Sequence, residues 1–293
     1  MSFHSGFVNI IGLPNAGKST LSNALVGERL SIITPKAQTT RRRIIGIVNE
    51  PGYQIIFSDT PGIIDQPEYK LHAWMNAQIS QALQDADVIL YIATPGERPD
   101  ADNRLMHGLK MTDTPVIIAV NKADTLDEAK LKEELAAWQS FFPGREVHPL
   151  SALHNAGVQQ LLELVKPLLP EHPPYYEQDA LTDLQERFFV SEIIREKILE
   201  QYHQEIPYAV EVVIDEYKEK EDIDVIRAII YVIRDSQKNI IIGKKGAAIK
   251  QLGVEARKVM EEWLQKKVYL ELFVKVKGDW KDDDRLLKHF GYQ

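Results

Sequence analysis

A chain of 293 residues is too long for one small domain and suits two, and its 44% apolar and 27% charged content is that of an ordinary globular protein. With no cysteine, disulfides, thiolate metal sites and cysteine nucleophiles are excluded. No apolar run approaches the roughly 18 residues needed to span a bilayer, and the opening MSFHSGFVNIIG lacks the basic start and cleavage site of a secretory signal, so a cytoplasmic location is expected. The net charge of −8 speaks against nucleic acid, yet residues 238–281 hold eleven Lys/Arg and five Asp/Glu, a local +6 that leaves −14 elsewhere. Such asymmetry fits one region meeting a polyanion, although a solvated lysine-rich face would read the same on charge alone.

Along the first 166 residues, short apolar runs alternate with amphipathic stretches. The runs 7–11, 44–48, 53–57, 88–93 and 116–120 read as strands, and helices are expected near 18–26, 70–84, 101–110, 128–141 and 157–166. This alternation predicts a mostly parallel sheet covered by helices on both faces. Pro51-Gly52 is a turn signal that joins the second and third runs as an antiparallel edge pair.

The segment 12-GLPNAGKST-20 fits G-x-x-x-x-G-K-[ST] between a strand and a helix, the context this phosphate loop requires. Gly12, Leu13, Pro14, Asn15, Ala16, Gly17, Lys18, Ser19 and Thr20 would wrap phosphates with backbone N–H groups at a helix N-terminus. Lys18 would reach the β- and γ-phosphates and Ser19 would hold Mg²⁺. Two further motifs separate GTPases from kinases and ATPases. In 59-DTPGI-63, Asp59 would hold Mg²⁺ through a water and the Gly62 N–H would meet the γ-phosphate, with Thr60, Pro61 and Ile63 alongside. In 121-NKAD-124, Asp124 can accept from guanine N1–H and the N2 amine, which adenine cannot supply. Lys122 would pack over the base, with Ala123 beside it, and Asn121 would tie the loops together. The Ala152 N–H of Ser151-Ala152-Leu153 could bind guanine O6. In the connection 34–43, one of Thr39 and Thr40 should reach Mg²⁺ only when a γ-phosphate is present, which makes the loop an order–disorder switch. Thr40 is the favoured one.

Residue 63 poses a chemical problem. In Ras-type GTPases the residue after the DxxG glycine is a glutamine that orients the attacking water. Ile63 can neither donate nor accept a hydrogen bond, so charge in the transition state must be steadied by something else: a cation, or an arginine among Arg41, Arg42 and Arg43.

Four prolines interrupt the pattern in 167–183, read as a linker over 169–183 between a domain at 1–168 and another at 184–293. Beyond it a helix is expected at 184–203, strands at 208–217, 225–233 and 268–277, and a helix to about 267. Gly243-Lys244-Lys245-Gly246 is a G-x-x-G between helical stretches. It resembles the KH module, whose loop lets nucleotide phosphates approach the backbone and whose groove clamps about four nucleotides. Ile242, Gly243, Lys244, Lys245, Gly246, Ile249 and Lys250 are the expected RNA-binding residues, with Ile240 also facing the groove. The acidic run 216–226 would face away from RNA.

The five-part nucleotide set resembles the TRAFAC class of GTPases, and GxPNxGKS with DTPG and NKxD is closest to the Era family. The junction 182-TDLQERFFVSEIIREKILEQYHQEIPYAVEV-212, with its EIIREK and EIPY signatures, and the ending 274-VKVKGDW-280 are similar to that family too. The resemblance implies a Ras-like P-loop α/β domain followed by a smaller α+β KH type II domain. It implies GTP hydrolysis with Mg²⁺, catalysis resting on Asn15, Lys18, Thr40 and Gly62, and K⁺ recruited by Asn15. It further implies that the partners are GTP/GDP, the 3′ end of 16S rRNA and the 30S subunit, with peripheral association with the inner membrane; a monomer is expected.

Overall fold

The computed structural model describes residues 2–64 and 66–292. The chain forms two compact units: Met1–Ser31 with Thr40–Asp65 and Met75–Asp183, and Ile32–Thr39 with Gln66–Trp74 and Leu184–Gln293.

In the first unit, β1 (His4–Gly12), β2 (Ile44–Glu50), β3 (Tyr53–Asp59), β4 (Val88–Ala93), β5 (Val116–Val120) and β6 (Glu146–Pro149) form one sheet in the order β2-β3-β1-β4-β5-β6. All neighbours are parallel except β2–β3, the hairpin turned at Pro51-Gly52. The strands read as unbroken apolar runs because both faces are covered. Alternate residues divide between two cores. Val8, Ile10, Leu90, Ile92 and Ala119 pack with Leu21 and Leu25 of α1 (Lys18–Val26) and with Leu161 and Val165 of α5 (Val158–Val165). Ile11, Tyr91, Ala93 and Ile118 pack on the opposite face. Their partners are Ile79 of α2 (Lys70–Asp85), Met106 and Leu109 of α3 (Arg104–Met111), and Trp138 of α4 (Glu128–Phe141). Asn103 and Asp127 cap α3 and α4 by accepting from N–H groups of the first turn.

The Pro-rich stretch 169–183 is strapped to this sheet. Buried Gln54 accepts at Oε1 from the Tyr175 and Tyr176 N–H groups (2.7 and 2.9 Å), and the Ile47 N–H of edge strand β2 donates to Leu181 O at 2.8 Å.

The second unit holds α6 (Glu186–Gln201), the short α7 (Ile206–Ala209), β7 (Glu211–Lys218), β8 (Ile223–Val232), α8 (Asp235–Ile242), α9 (Ala247–Leu264), β9 (Lys267–Val276) and α10 (Asp284–His289). Its sheet runs β7-β8-β9, with β7–β8 antiparallel and β8–β9 parallel. The parallel pair is joined through α8 and α9. One core unites Val190, Ile194 and Ile198 of α6, Leu252, Ala256 and Met260 of α9, and the inner face of the sheet. Two short helices lay outside the sequence reading. Pro207 stands in the first turn of α7, where its missing N–H costs nothing, so a strand expected from 208 begins at Glu211. The α10 helix follows Asp283, whose carboxylate accepts from Arg285 N (2.8 Å) and Leu286 N (3.1 Å). Trp280 is fully buried and donates to Ala209 O at 3.0 Å.

Candidate nucleotide site and nucleic-acid groove

Three loops at the C-terminal ends of strands converge in the first unit, where ligands of open α/β sheets bind. Asn121 ties them together. Its Nδ2 donates to Ala16 O of the phosphate loop at 2.8 Å, and its Oδ1 accepts from Ala152 N at 3.0 Å. Gly17 is left-handed (φ 92°), and a Cβ there would stand 2.3 Å from Asn121 Nδ2, so only glycine fits. Lys122, also left-handed, donates from Nζ to Asn15 O at 2.8 Å. Asp124 is about one-third exposed, with His154 Nε2 3.6 Å away, and the adjacent Ser151 hydroxyl draws its carboxyl below the ordinary range. The Ala152 N–H, expected to meet guanine O6, is already engaged by Asn121; Leu153 is exposed.

At the other end of the site, Lys18 is buried and donates to Gly12 O (3.1 Å) and Leu13 O (2.9 Å). Burial pulls its pKa down to about 8, against the opposing pull of Asp59 and Glu97. Asp59 is fully buried, which pushes its carboxyl up, with the Ser19 and Ser31 hydroxyls and the Lys18 charge acting the other way. Its Oδ2 accepts from Thr40 Oγ1 at 3.4 Å, and Thr40 shares a 2.8 Å hydrogen bond with Ser19 Oγ. Thr39 turns elsewhere: its hydroxyl donates to Lys36 O at 2.6 Å and meets Thr34 Oγ1 at 2.7 Å. Thr40 is therefore the threonine beside Ser19 and Asp59.

The buried Asp59 Oδ1 has no hydrogen-bond partner. An orphaned carboxylate oxygen beside two hydroxyls is a hard-oxygen donor set that fits Mg²⁺, and a cation there would reverse the cost of burying the charge. Thr60 is structural, its hydroxyl donating to Ile10 O at 2.7 Å, and buried Pro61 leads into Gly62, which lies against Pro14. Ile63 packs against the core on the α3–α4 side of the sheet. Among the candidate arginines, Arg43 is committed to Ser58 Oγ, Asn9 Oδ1 and Asp85, and Arg41 is buried. Leu13 and Asn15 are exposed on the loop, and Thr20 lies in the first turn of α1.

In the second unit, the G-x-x-G joins α8 to α9. Gly243 has φ 70°, and a Cβ there would come within 2.6 Å of Ala248 Cβ; Lys245 and Gly246 are left-handed as well. Lys244, Lys245 and Lys250 are exposed, and Ile242 and Ile249 rest half-buried on the core. A groove of about 370 Å³ opens between α9 and edge strand β9. It is lined by Ile249 and Lys250 as expected, and also by Gly253, Val254, Arg257, Tyr269, Leu270 and Leu272. Ile240 is exposed on α8 and does not line it. The missed helical residues carry a legible signal, since Lys250, Gly253, Val254 and Arg257 recur at helical spacing on one face. Tyr269, half-exposed on an edge strand beside basic residues, is another.

Comparisons with known proteins agree with this geometry. The family model described as 50S ribosome-binding GTPase matches residues 7–122, and that of the KH domain matches 205–281. GTPase Era of Geotalea daltonii is 44% identical over 293 residues, covering 99% of this chain and 98% of that one. The chain belongs to the Era family of GTPases. A chloroplastic ERA-like GTPase of Oryza sativa is also 44% identical, over 98% of this chain and 69% of its own. Among solved structures, an Era of Aquifex aeolicus bound to GDP·AlF₄⁻ superposes with a TM-score of 0.94 at 38% identity. An Era in complex with MgGDPNP and nucleotides 1506–1542 of 16S ribosomal RNA gives 0.91, also at 38% identity. Each covers 99% of both chains. The Era-family fold is thus a Ras-like G domain followed by a KH domain.

Proposed function

We propose that this Era-family chain hydrolyses GTP, that its GTP-bound form grips the 3′ end of 16S rRNA through the KH groove, and that this cycle acts in assembly of the 30S subunit. The strongest support is the likeness over 99% of the chain to an Era that holds MgGDPNP and a 16S rRNA fragment together. The Ser19–Thr40–Asp59 cluster supplies the chemistry. Those three side chains would hold Mg²⁺, which when bound neutralises charge on the β- and γ-phosphate oxygens. Lys18 meets the same oxygens, the Gly62 N–H meets the γ-phosphate, and Asn121 fixes the base-reading loop to the phosphate loop.

GTP and RNA should then favour one another reciprocally. A 16S rRNA 3′-end fragment is expected to bind about 5- to 150-fold more tightly with GDPNP than with GDP, the usual range of such couplings. Fluorescence anisotropy measures this, and equal affinity in both states would remove the gating.

With Ile63 packed against the core and unable to hydrogen-bond, K⁺ recruited by Asn15 is the reading favoured for steadying transition-state charge. Asn15 is held left-handed (φ 61°) with its carbonyl taken by Lys122, and its exposed side-chain amide makes no hydrogen bond within the described residues. An arginine finger is worth about 10³–10⁵ in rate, which bounds what a substitute cation can contribute. Turnover is expected to be faster in KCl than in NaCl, and Asn15→Ala to erase that difference. Equal wild-type rates in the two salts would remove K⁺ from the mechanism.

We place the protein in the cytoplasm as a monomer. Contact with the inner membrane is proposed as peripheral; among the described residues no helix is long and apolar enough to cross a membrane.

A further inference from the structure

The EIIREK helix has a task that the nucleotide and RNA sites leave unexplained. Residues 33–39, the loop before Thr40, lie in the same compact unit as α6 and are held by it at three points. Ile33 N donates to Glu196 Oε1 at 3.2 Å. The Lys36 ammonium donates to the carbonyls of Leu199 and Tyr202, the C-terminal end of α6. The Arg195 guanidinium donates to Thr39 O. Arg195 is buried and is itself aimed by Glu192, whose Oε1 accepts from its Nε at 2.8 Å.

Each anchor has a physical reason. The last carbonyls of a helix lack intrahelical donors and carry the negative end of its dipole, so an ammonium there is favoured. Arginine in a fixed fork loses little freedom in bonding a carbonyl. The loop has no regular structure of its own between α1 and β2, and ordering such a segment costs about 1–2 kcal/mol per residue. Anchors at 33, 36 and 39 meet part of that cost before any ligand arrives. The anchored Thr39 is bonded directly to Thr40, which faces Ser19 and Asp59.

We propose that Lys36 and Arg195 are positioning residues for GTP hydrolysis: through residues 36 and 39 they hold Thr40 toward Ser19 and Asp59. This rests on the GTPase reading above. Only the triphosphate state calls on Thr40, so loss of an anchor should weaken GTP-state binding and leave GDP binding alone.

Because Arg195 is buried, its removal would disturb the core, and Lys36, only partly buried, carries the test. Dissociation constants for GDPNP and GDP, with kcat and KM for GTP, are measured on full-length wild type, Lys36→Ala, Lys36→Arg and Lys70→Ala. Lys70 pairs with Asp284 in the same unit, but both side chains are more than half exposed, so that pair is a control of little worth. Lys36→Ala is expected to weaken GDPNP by at least about fivefold and to lower kcat, with GDP affinity within about twofold, and Lys36→Arg to restore most of the loss. Lys70→Ala is expected to match wild type. An unchanged GDPNP-to-GDP ratio in Lys36→Ala, or an equal loss for both nucleotides, overturns the proposal. Wild type that fails to turn over GTP overturns the GTPase reading, and the proposal with it.

Discussion

Asp124→Asn is expected to lose guanine nucleotides by about 10²-fold or more, since hydrogen bonds to charged groups are worth about 1.5–3 kcal/mol each and guanine offers two donors to this carboxylate. An amide can accept only one of them and turns an N–H toward the other. The loss should be selective. Xanthine carries a carbonyl where guanine has its N2 amine, so the variant should gain affinity for xanthosine nucleotides as it loses GDP. The fold should not suffer: Asp124 is partly exposed in the turn after β5, and the bonds that anchor this loop come from Asn121 and Lys122. Titrating GDP and xanthosine diphosphate against wild type and variant, with thermal melts as control, settles it. Unchanged GDP affinity would mean that the base is read elsewhere.

The second large effect concerns the G-x-x-G loop. Replacing Lys244 and Lys245 together by aspartate is expected to weaken binding of a 16S rRNA 3′-end fragment by about tenfold or more. Each lysine that neutralises a phosphate on a single strand adds about 0.7 to the slope of log K against log salt, so the slope should shrink by about 1.4. Aspartate suits Lys245, which is left-handed at φ 53°, a conformation Asp tolerates better than most residues. Gly243 and Gly246 stay intact, so the loop keeps its shape and only its charge changes. Anisotropy across a KCl series is the measurement. A variant with the wild-type slope would remove these lysines from the phosphate contacts.

Much of this molecule can be read from local chemistry. The strands and helices of the G domain announce themselves because each is a continuous apolar or periodic run, with Pro51-Gly52 marking the one antiparallel turn. The 12–20 loop, Asp59 and Asn121 could be singled out because their motifs are set by residues within a few positions, and the structure brings them to one end of the sheet. What stayed hidden depends on distant partners. Whether Thr39 or Thr40 faces Ser19 and Asp59 turns on Thr39 closing onto Thr34 and Lys36. The Ala152 N–H is taken by a side chain far away in sequence. The anchoring of residues 33–39 by Glu196, Arg195 and the end of α6 spans more than 150 residues and leaves no spacing signal. In the groove, α9 supplied a periodic face, but pairing it with β9 required the fold.

The proline-rich strap bears on the order in which the protein can be made. By residue 168 a nascent chain has every strand of the six-stranded sheet, yet the outer side of β2 is still bare and the Gln54 amide lacks the Tyr175 and Tyr176 donors it will receive. An open strand edge is a template for stray pairing. During synthesis that exposure ends only when the stretch through Leu181 has left the exit tunnel, and a fragment cut at 168 would carry the unprotected edge for good.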